Sequence, residues 1–428
     1  MLYLICVWCV CKVVGCRVKD LYYKRSEFGG NKKKEYKITI ICRNLSEVDK
    51  VKPKKICYIV TIPLTIRSFF ISQLEYLSTK GFDVTVICQN DKTIKTELNK
   101  HHIRFISIDI PRGISPVQML KALFNLLKVF KMKKYDLIQY STPNAALVAS
   151  LAGVLAGVKI RNYHMMGIRY IGFEGLMRII FKLFEKVTCQ LSTSIECVSK
   201  TNLDLCIREK LFLKQKGTVI WNGSTGGIDT SRFDFSKRQQ WRMEIRKELG
   251  YSSGDFVYGF VGRITKDKGV DELLSAFLQL KDNSKLLLVG DIEKDNKLDT
   301  TLLTRAQENS NIIFHSFVSD IERYYAAMDV LVLPSYREGF GNVVIEAGAV
   351  GTAAIVTEIP GPTDTIDREK TALVVPVKDS GALAGGLKQI HERDYIAMGE
   401  NAAQFVREKF DSKILNEKIW KRKEELLG

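Results

Sequence analysis

From residue 56 onward, short apolar runs alternate with longer amphipathic stretches. ICYIVTI (56–62) is rich in β-branched residues and reads as a strand, and FISQLEYLSTKG (70–81) has helical spacing and stops at a glycine. FDVTVIC (82–88), RFISIDI (104–110), DLIQY (136–140), KIRNYHM (159–165), SIECVS (194–199) and GTVIWN (217–222) continue the strands. Helical stretches at 91–101, 116–132, 144–158 and 173–191 separate them. After a polar bridge near 223–254 the alternation restarts with FVYGFVG (256–262), VDELLSAFLQL (270–280), KLLLVGD (285–291), IIFHSF (312–317), DVLVLPS (329–335), AAIVTE (353–358) and ALVVPV (372–377). A last helix fills 379–409, and a helical tail over 411–428 is expected to pack back on the first domain. Strands alternating with helices of 10–15 residues predict βαβ units. The expected fold class is therefore α/β, with two doubly wound parallel-sheet domains over 56–222 and 223–410. Ligands of such sheets sit at the carboxyl ends of the strands, so the site is expected in the cleft between the domains.

The chain has 428 residues and a net charge of +17. Residues 1–220 hold 37 Lys and Arg against 16 Asp and Glu, whereas 221–428 hold 28 against 32. The basic half should meet something anionic: phosphate, nucleic acid or a membrane surface. Residues 1–18 are apolar but are broken by Lys12 and Arg17, too short for a span and without the pattern of a signal peptide. With the Lys-rich stretch that follows, 1–55 reads as a basic, poorly ordered extension. A membrane-touching amphipathic segment, or a start codon assigned too far upstream, are the alternatives. Ten cysteines, none beyond 206, are too sparse for a secreted disulfide framework, which points to a reducing, cytoplasmic setting. Cys6, Cys9, Cys11 and Cys16 cluster, but no nearby His or second Cys pair completes a zinc pattern, and no metal is expected there.

The sharpest chemistry lies in REGFGNVVIEAGAVG, after the strand that ends in Pro334-Ser335. Glu338 and Glu346 have seven residues between them, with Gly339, Phe340 and Gly341 in the loop and a helix expected from Asn342. Unpaired first-turn amides and a glycine loop make an anion site for a diphosphate. Glu346, about one turn into the helix, can reach a vicinal diol such as a ribose. Glu338 would face whatever lies beyond the phosphates. In VGRITKDKG (261–269) a strand ends at Gly262 and offers Arg263 and Lys268, a bidentate and a point cation for the same diphosphate. The alternative is a strand-loop-helix with solvated glutamates and ordinary surface cations.

Taken with LLLVGD and GPTD (361–364), these runs resemble the retaining glycosyltransferases of family 4, with the GT-B fold of two Rossmann-like domains. VVIEAGAVGTAAIVTEIPGPTD resembles the bacterial surface-polysaccharide members. The resemblance implies that Glu338 contacts the donor sugar and Glu346 the ribose, and that Gly339, Phe340, Gly341 and Asn342 line the phosphates and sugar. Arg263 and Lys268 match the diphosphate pair. It also implies a metal-independent reaction that retains configuration, with no cofactor beyond the nucleotide-sugar donor. His164, after a strand in RNYHMMGIRYIGFEG, is expected at the cleft near the reaction centre, with Arg169 and Tyr170 toward the acceptor. WNGSTGGID (221–229) resembles an Asn-Gly loop at the domain junction, which adds Asn222 to the substrate contacts, although a plain turn fits as well. Three stretches depart from the pattern: PLTIRSFF (63–70) has no glycine in the expected loop, YSTPNAAL (140–147) replaces a His-Thr-Pro-Lys-like stretch, and His315-Ser316 stand where a Gly is usual. They leave the acceptor and the base open, with uridine as the default.

The reading is a sugar transfer from a nucleotide diphosphate to a polyprenyl-diphosphate-linked saccharide, at an anionic membrane surface on its cytoplasmic face. The basic amphipathic stretches near 70–80, 116–132 and 173–191 support the membrane. Rivals are a soluble glycosyltransferase making a small glycoside or an α-glucan, a sugar-nucleotide-binding protein without catalysis, and a nucleic-acid binder. The last would want aromatic-basic platforms, which the sequence lacks, so no nucleic-acid partner is expected.

Overall fold

The computed structural model describes residues 52–113, 115–293 and 297–428. The extension assigned to 1–55, apart from its last four positions, and the Cys6–Cys16 cluster lie outside the described residues. The first sheet contains β1 (Lys55–Ile59), β2 (Asp83–Cys88), β3 (Arg104–Ser107), β4 (Leu137–Tyr140), β5 (Ile160–Met165), β6 (Ser194–Cys197) and β7 (Gly217–Thr218). Their order is β3-β2-β1-β4-β5-β6-β7, and every pairing is parallel. The second sheet contains β8 (Val257–Val261), β9 (Lys285–Val289), β10 (Ile312–His315), β11 (Val330–Leu333), β12 (Ala353–Thr357) and β13 (Ala372–Val375), in the order β10-β9-β8-β11-β12-β13. In each sheet the chain leaves from a central strand, so a switch point opens between β1 and β4 and between β8 and β11. That is where doubly wound sheets bind ligands.

Helices cover both faces of each sheet, which is why the strands read as continuous apolar runs rather than alternating ones. Every residue of β4, β6, β11 and β12 is buried. Burying one large apolar side chain stabilises by roughly 1.5–3 kcal/mol, and Tyr58, Phe70, Phe130, Tyr258 and Phe260 are all fully buried. Cys57, Cys88 and Cys197 lie within β1, β2 and β6 as buried free thiols.

The structure differs from the sequence reading at several elements. PLTIRSFF is not a loop: Pro63–Phe69 is a helix with Pro63 in its first turn, where a missing N–H costs nothing. The polar bridge contains the helix Arg238–Glu248. It carries no apolar stripe because part of what it buries is charge. Arg242 and Arg246 donate to Asp329 at 2.6 and 2.7 Å, and Val257 N–H adds a third bond to the same carboxylate at 2.7 Å. The GTVIWN strand shrinks to two residues, and the 379–409 helix is two, Ser380–His391 and Tyr395–Phe410.

The last helix, Ser412–Leu427, crosses back to the first lobe. There Lys423 Nζ donates to both carboxylate oxygens of Glu196 at 2.8 and 2.9 Å, and Asn416 donates to Ser72 at 2.8 Å. The chain thus passes between lobes twice, side by side. Ile228 N–H donates to Phe410 C=O at 2.7 Å and Ser412 N–H to Ile228 C=O at 2.9 Å. No helix among the described residues is long and apolar enough to cross a membrane.

Candidate active site

A cavity of about 470 Å³ lies between the lobes, at the carboxyl ends of β1, β4, β5, β8 and β11. The second lobe supplies Arg263, Asp267, Lys268, Arg337, Glu338 and Gly339 to its wall. The first lobe supplies, among others, Thr61, Arg112, Asn144, Met166, Gly167 and Arg169.

Local chemistry explains the second-lobe wall. β8 ends at Val261, Gly262 follows it, and the turn Lys266–Lys268 leads through Gly269 into the helix Val270–Phe277. That turn presents Lys268 to the loop after β11. Lys268 Nζ donates to Glu338 Oε1 at 2.5 Å, and Ser335 Oγ donates to the same oxygen at 2.9 Å. Arg337 pairs with Asp267 at 3.1 Å. Arg263, half exposed, pairs with Glu293 at 3.0 Å and approaches Asp267 at 3.9 Å.

Two glycines fix the loop. Gly341 caps the helix Asn342–Ala349 with φ +95°, in the left-handed region that glycine enters freely, and no side chain caps the first-turn amides. The Oδ1 of Asn342 is buried without a hydrogen-bond partner. At Gly339 the lobes touch: a Cβ there would fall 1.7 Å from the carbonyl oxygen of Met166. Asn202 of the first lobe donates to Gly339 C=O at 2.5 Å across the same seam.

Of the residues singled out from the sequence, Arg169, Arg263, Lys268, Glu338 and Gly339 line this cavity. Gly262, Gly341 and Asn342 are in the adjoining backbone. The Phe340 side chain is buried, edge-on to Phe410 at 5.5 Å, so only its backbone belongs to the loop. Glu346 is half-buried and accepts from Tyr325 O–H at 2.8 Å; burial raises its pKa. Asn222 lines a different cavity at the lobe junction and donates to Lys409 C=O at 3.1 Å.

His164 is not at the cleft face, in contrast to the expectation. It is 6% exposed within β5, with Nε2 3.1 Å from Thr225 Oγ1, Nδ1 3.8 Å from Glu196, and Phe70 edge-on at 5.5 Å. Burial lowers its pKa, against the opposite pull of Glu196. Its neighbours line the cavity, Tyr163 before it and Met166-Gly167 after it, while His164 does not. Tyr170 is likewise fully buried, while Arg169 lines the cavity. His315, expected near the base, is 3.2 Å from Tyr324 O–H through Nε2.

Sequence reasoning assigned no role to Arg112, Asp267 or Arg337. Arg337 and Asp267 stand inside the motifs already quoted, next to Glu338 and Lys268, and a charge count of those motifs would have found them.

Two sequence profiles match the chain. "Glycosyl transferase 4-like" covers residues 55–199, and "Glycosyl transferases group 1" covers 242–408. The chain is 30% identical over 375 residues to the capsular polysaccharide biosynthesis glycosyltransferase CapM of Staphylococcus aureus, covering 86% of this chain and 96% of that one. It is 25% identical over 347 residues to the UDP-Gal:alpha-D-GlcNAc-diphosphoundecaprenol alpha-1,3-galactosyltransferase of Escherichia coli, covering 78% and 87%. Among solved structures it is similar to Anabaena HepE in complex with UDP, with a TM-score of 0.71, 20% identity, and 87% and 100% of the two chains covered. WaaG, a glycosyltransferase involved in lipopolysaccharide biosynthesis, superimposes with a TM-score of 0.67 at 17% identity, over 85% and 98%.

Proposed function

The chain belongs to family 4 of the GT-B glycosyltransferases, in the bacterial surface-polysaccharide group, and from that premise we propose that it moves a hexose from a UDP-sugar to a hydroxyl of a polyprenyl-diphosphate-linked saccharide, with retention and without a metal. The observation that carries this reading is the Lys268–Glu338 pair inside the inter-lobe cavity, with Arg263 and Arg337 beside it.

The leaving group is a nucleoside diphosphate, so negative charge grows on the phosphate oxygen as the glycosidic bond breaks. Arg263, Lys268 and the uncapped amides at Gly341–Asn342 are fixed positive groups around that position, and preorganised donors of this kind are the largest single term in many active sites. Glu338 holds Lys268 in place until the diphosphate arrives, and is then free for the sugar hydroxyls. Glu346, one turn along the helix, is the partner for the ribose diol. Attack from the front face lets the departing phosphate accept the proton of the acceptor hydroxyl. Lobe contact at Gly339 excludes water and limits donor hydrolysis. His164, walled off from the cavity, is not assigned a part in the reaction.

The acceptor reading draws on the named acceptor of the E. coli relative. The membrane reading draws on three packed helices of the basic lobe, Pro116–Lys133, Pro143–Leu155 and Gly175–Leu191. They expose Val117, Leu120, Phe124, Leu176, Ile179 and Leu183 among lysines and arginines. Apolar side chains interleaved with cations suit the interface of an anionic bilayer.

The test is release of free nucleotide from a panel of UDP- and GDP-sugars, with and without a prenyl-diphosphate-linked monosaccharide. UDP release that depends on the acceptor is expected. Release from no sugar nucleotide would end the reading. Flotation with anionic liposomes tests the surface, and indifference to them would remove the membrane.

A further inference from the structure

The cations of the cavity fall into two sets. Lys268, Arg263 and Arg337, all from the second lobe, are each matched to a carboxylate. Arg112 and Arg169, both from the first lobe, make no ion pair within 4 Å among the described residues, the buried Glu185 carboxyl acting on Arg169 only from farther off, and both line the cavity. Arg169 is held in place by uncharged groups: its Nη1 donates to Asn144 Oδ1 at 3.0 Å and its guanidinium lies 4.4 Å from the Phe181 ring centroid. Asn144 also donates through Nδ2 to Pro111 C=O at 2.6 Å and Gly113 C=O at 2.8 Å, the residues on either side of Arg112. One amide therefore fixes both the loop of Arg112 and the head of Arg169. A single donor diphosphate accounts for the second-lobe set and leaves this one unused.

The position of the pair is also informative. Arg112 precedes the helix Pro116–Lys133, whose first turn exposes Val117. Arg169 precedes the helix Gly175–Leu191, whose first turn exposes Leu176. Each cation thus stands where an exposed apolar helix face begins. We propose that Arg112, Arg169 and Asn144 form a second diphosphate subsite, which holds the prenyl diphosphate of the acceptor while its tail lies along Val117 and Leu176. Arginine suits this role because its planar fork bonds two phosphate oxygens at once. The proposal rests on the glycosyltransferase reading and names the group by which that site grips its acceptor.

Calorimetry with farnesyl diphosphate, in saturating UDP so that the donor subsite is filled, tests it directly. Wild-type protein is expected to bind farnesyl diphosphate at least about tenfold more tightly than farnesol, as charge-assisted bonds to a diphosphate require. Arg112→Ala and Arg169→Ala are each expected to lose about tenfold, and Arg169→Lys to recover part of it. UDP affinity of the same variants, measured alone, reports that they are folded and that the donor subsite is intact. The assignment is overturned if farnesyl diphosphate displaces UDP, if the variants bind it as tightly as wild type, or if they lose UDP affinity by the same factor. Equal affinity for inorganic pyrophosphate would remove the prenyl tail from it. Absence of nucleotide release from every sugar nucleotide would instead sink the transferase reading, and it is scored separately from these binding results.

Discussion

Lys423, on the last helix, and Glu196, in β6, form an ion pair with no solvent exposure to speak of: the lysine side chain is 0% exposed and the glutamate 2%. Burial alone would raise the Glu196 carboxyl, but Lys423 and His164 overcome it and hold the group well below the usual carboxylate range. The pair fastens the carboxyl-terminal helix to the lobe opposite the one the chain has just left.

Removing one partner of such a pair leaves an uncompensated charge in the core. Lys423→Met is expected to destabilise by about 3 to 5 kcal/mol, read by urea unfolding. Adding Glu196→Gln should recover a large part of that loss. A double variant no more stable than Lys423→Met would show that the charge itself is not the cost.

Glu338→Gln should separate chemistry from binding. Loss of one preorganised group at a reacting centre costs on the order of 10² to 10³ in kcat. UDP affinity should stay within a few-fold or improve, because Lys268 is freed for phosphate. Lys268→Ala should do the reverse and weaken UDP binding by about tenfold. Steady-state kinetics with titration of UDP would check both, and equal losses in both quantities would refute the division of roles.

Gly339→Ala probes the seam between lobes. The added methyl cannot coexist with the Met166 carbonyl at 1.7 Å, so the lobes must part there. A misplacement on the scale of 1 Å is expected to cost about a hundredfold in kcat. Circular dichroism should show the fold retained, and small-angle scattering should show a larger radius of gyration.

Glu185 gives a pH signature. Burial raises its pKa to about 7, although the Tyr163 hydroxyl at 2.6 Å and Arg169 pull the other way. Its folded pKa is above the unfolded value. Its stabilising contribution is therefore complete below about pH 4.5 and is lost as pH rises toward 7, by an amount on the order of 2–3 kcal/mol. Melting temperature should fall across that window in the wild type, and Glu185→Gln should flatten the fall. A slope unchanged by the substitution would refute the assignment.

What was legible in the sequence was the chemistry that is local in the chain. The loop from Pro334 to Asn342 announces itself because a buried strand, two glycines and a helix start follow one another within ten residues, and the same holds for the Gly262–Gly269 turn. The place of His164 is not legible because a strand residue's surroundings depend on which face of the sheet it takes: Tyr163 beside it lines the cavity, whereas His164 packs against Phe70, Thr225 and Glu196. A proline such as Pro63 reads as a loop residue, although its ring fits a helix start equally well. The helix Arg238–Glu248 carries no apolar stripe, since its inward residues include Arg242 and Arg246, whose partner Asp329 is some eighty positions away. Arg169 is named from its place after the β5 strand, whereas Arg112 needs the folded chain, because an arginine without an ion pair is recognised only once its neighbours are known.

The two side-by-side passages between lobes, at Ile228 and at Phe410–Ser412, constrain how this enzyme can open. A single connecting strand would let the halves swivel in any direction. Two segments hydrogen-bonded to each other restrict that freedom, as a door hung on a pair of pins turns about one axis. Any parting of the lobes has to turn about that paired backbone, so the wall that carries Lys268 and Glu338 keeps a single line of approach to the wall that carries Met166 and Gly167.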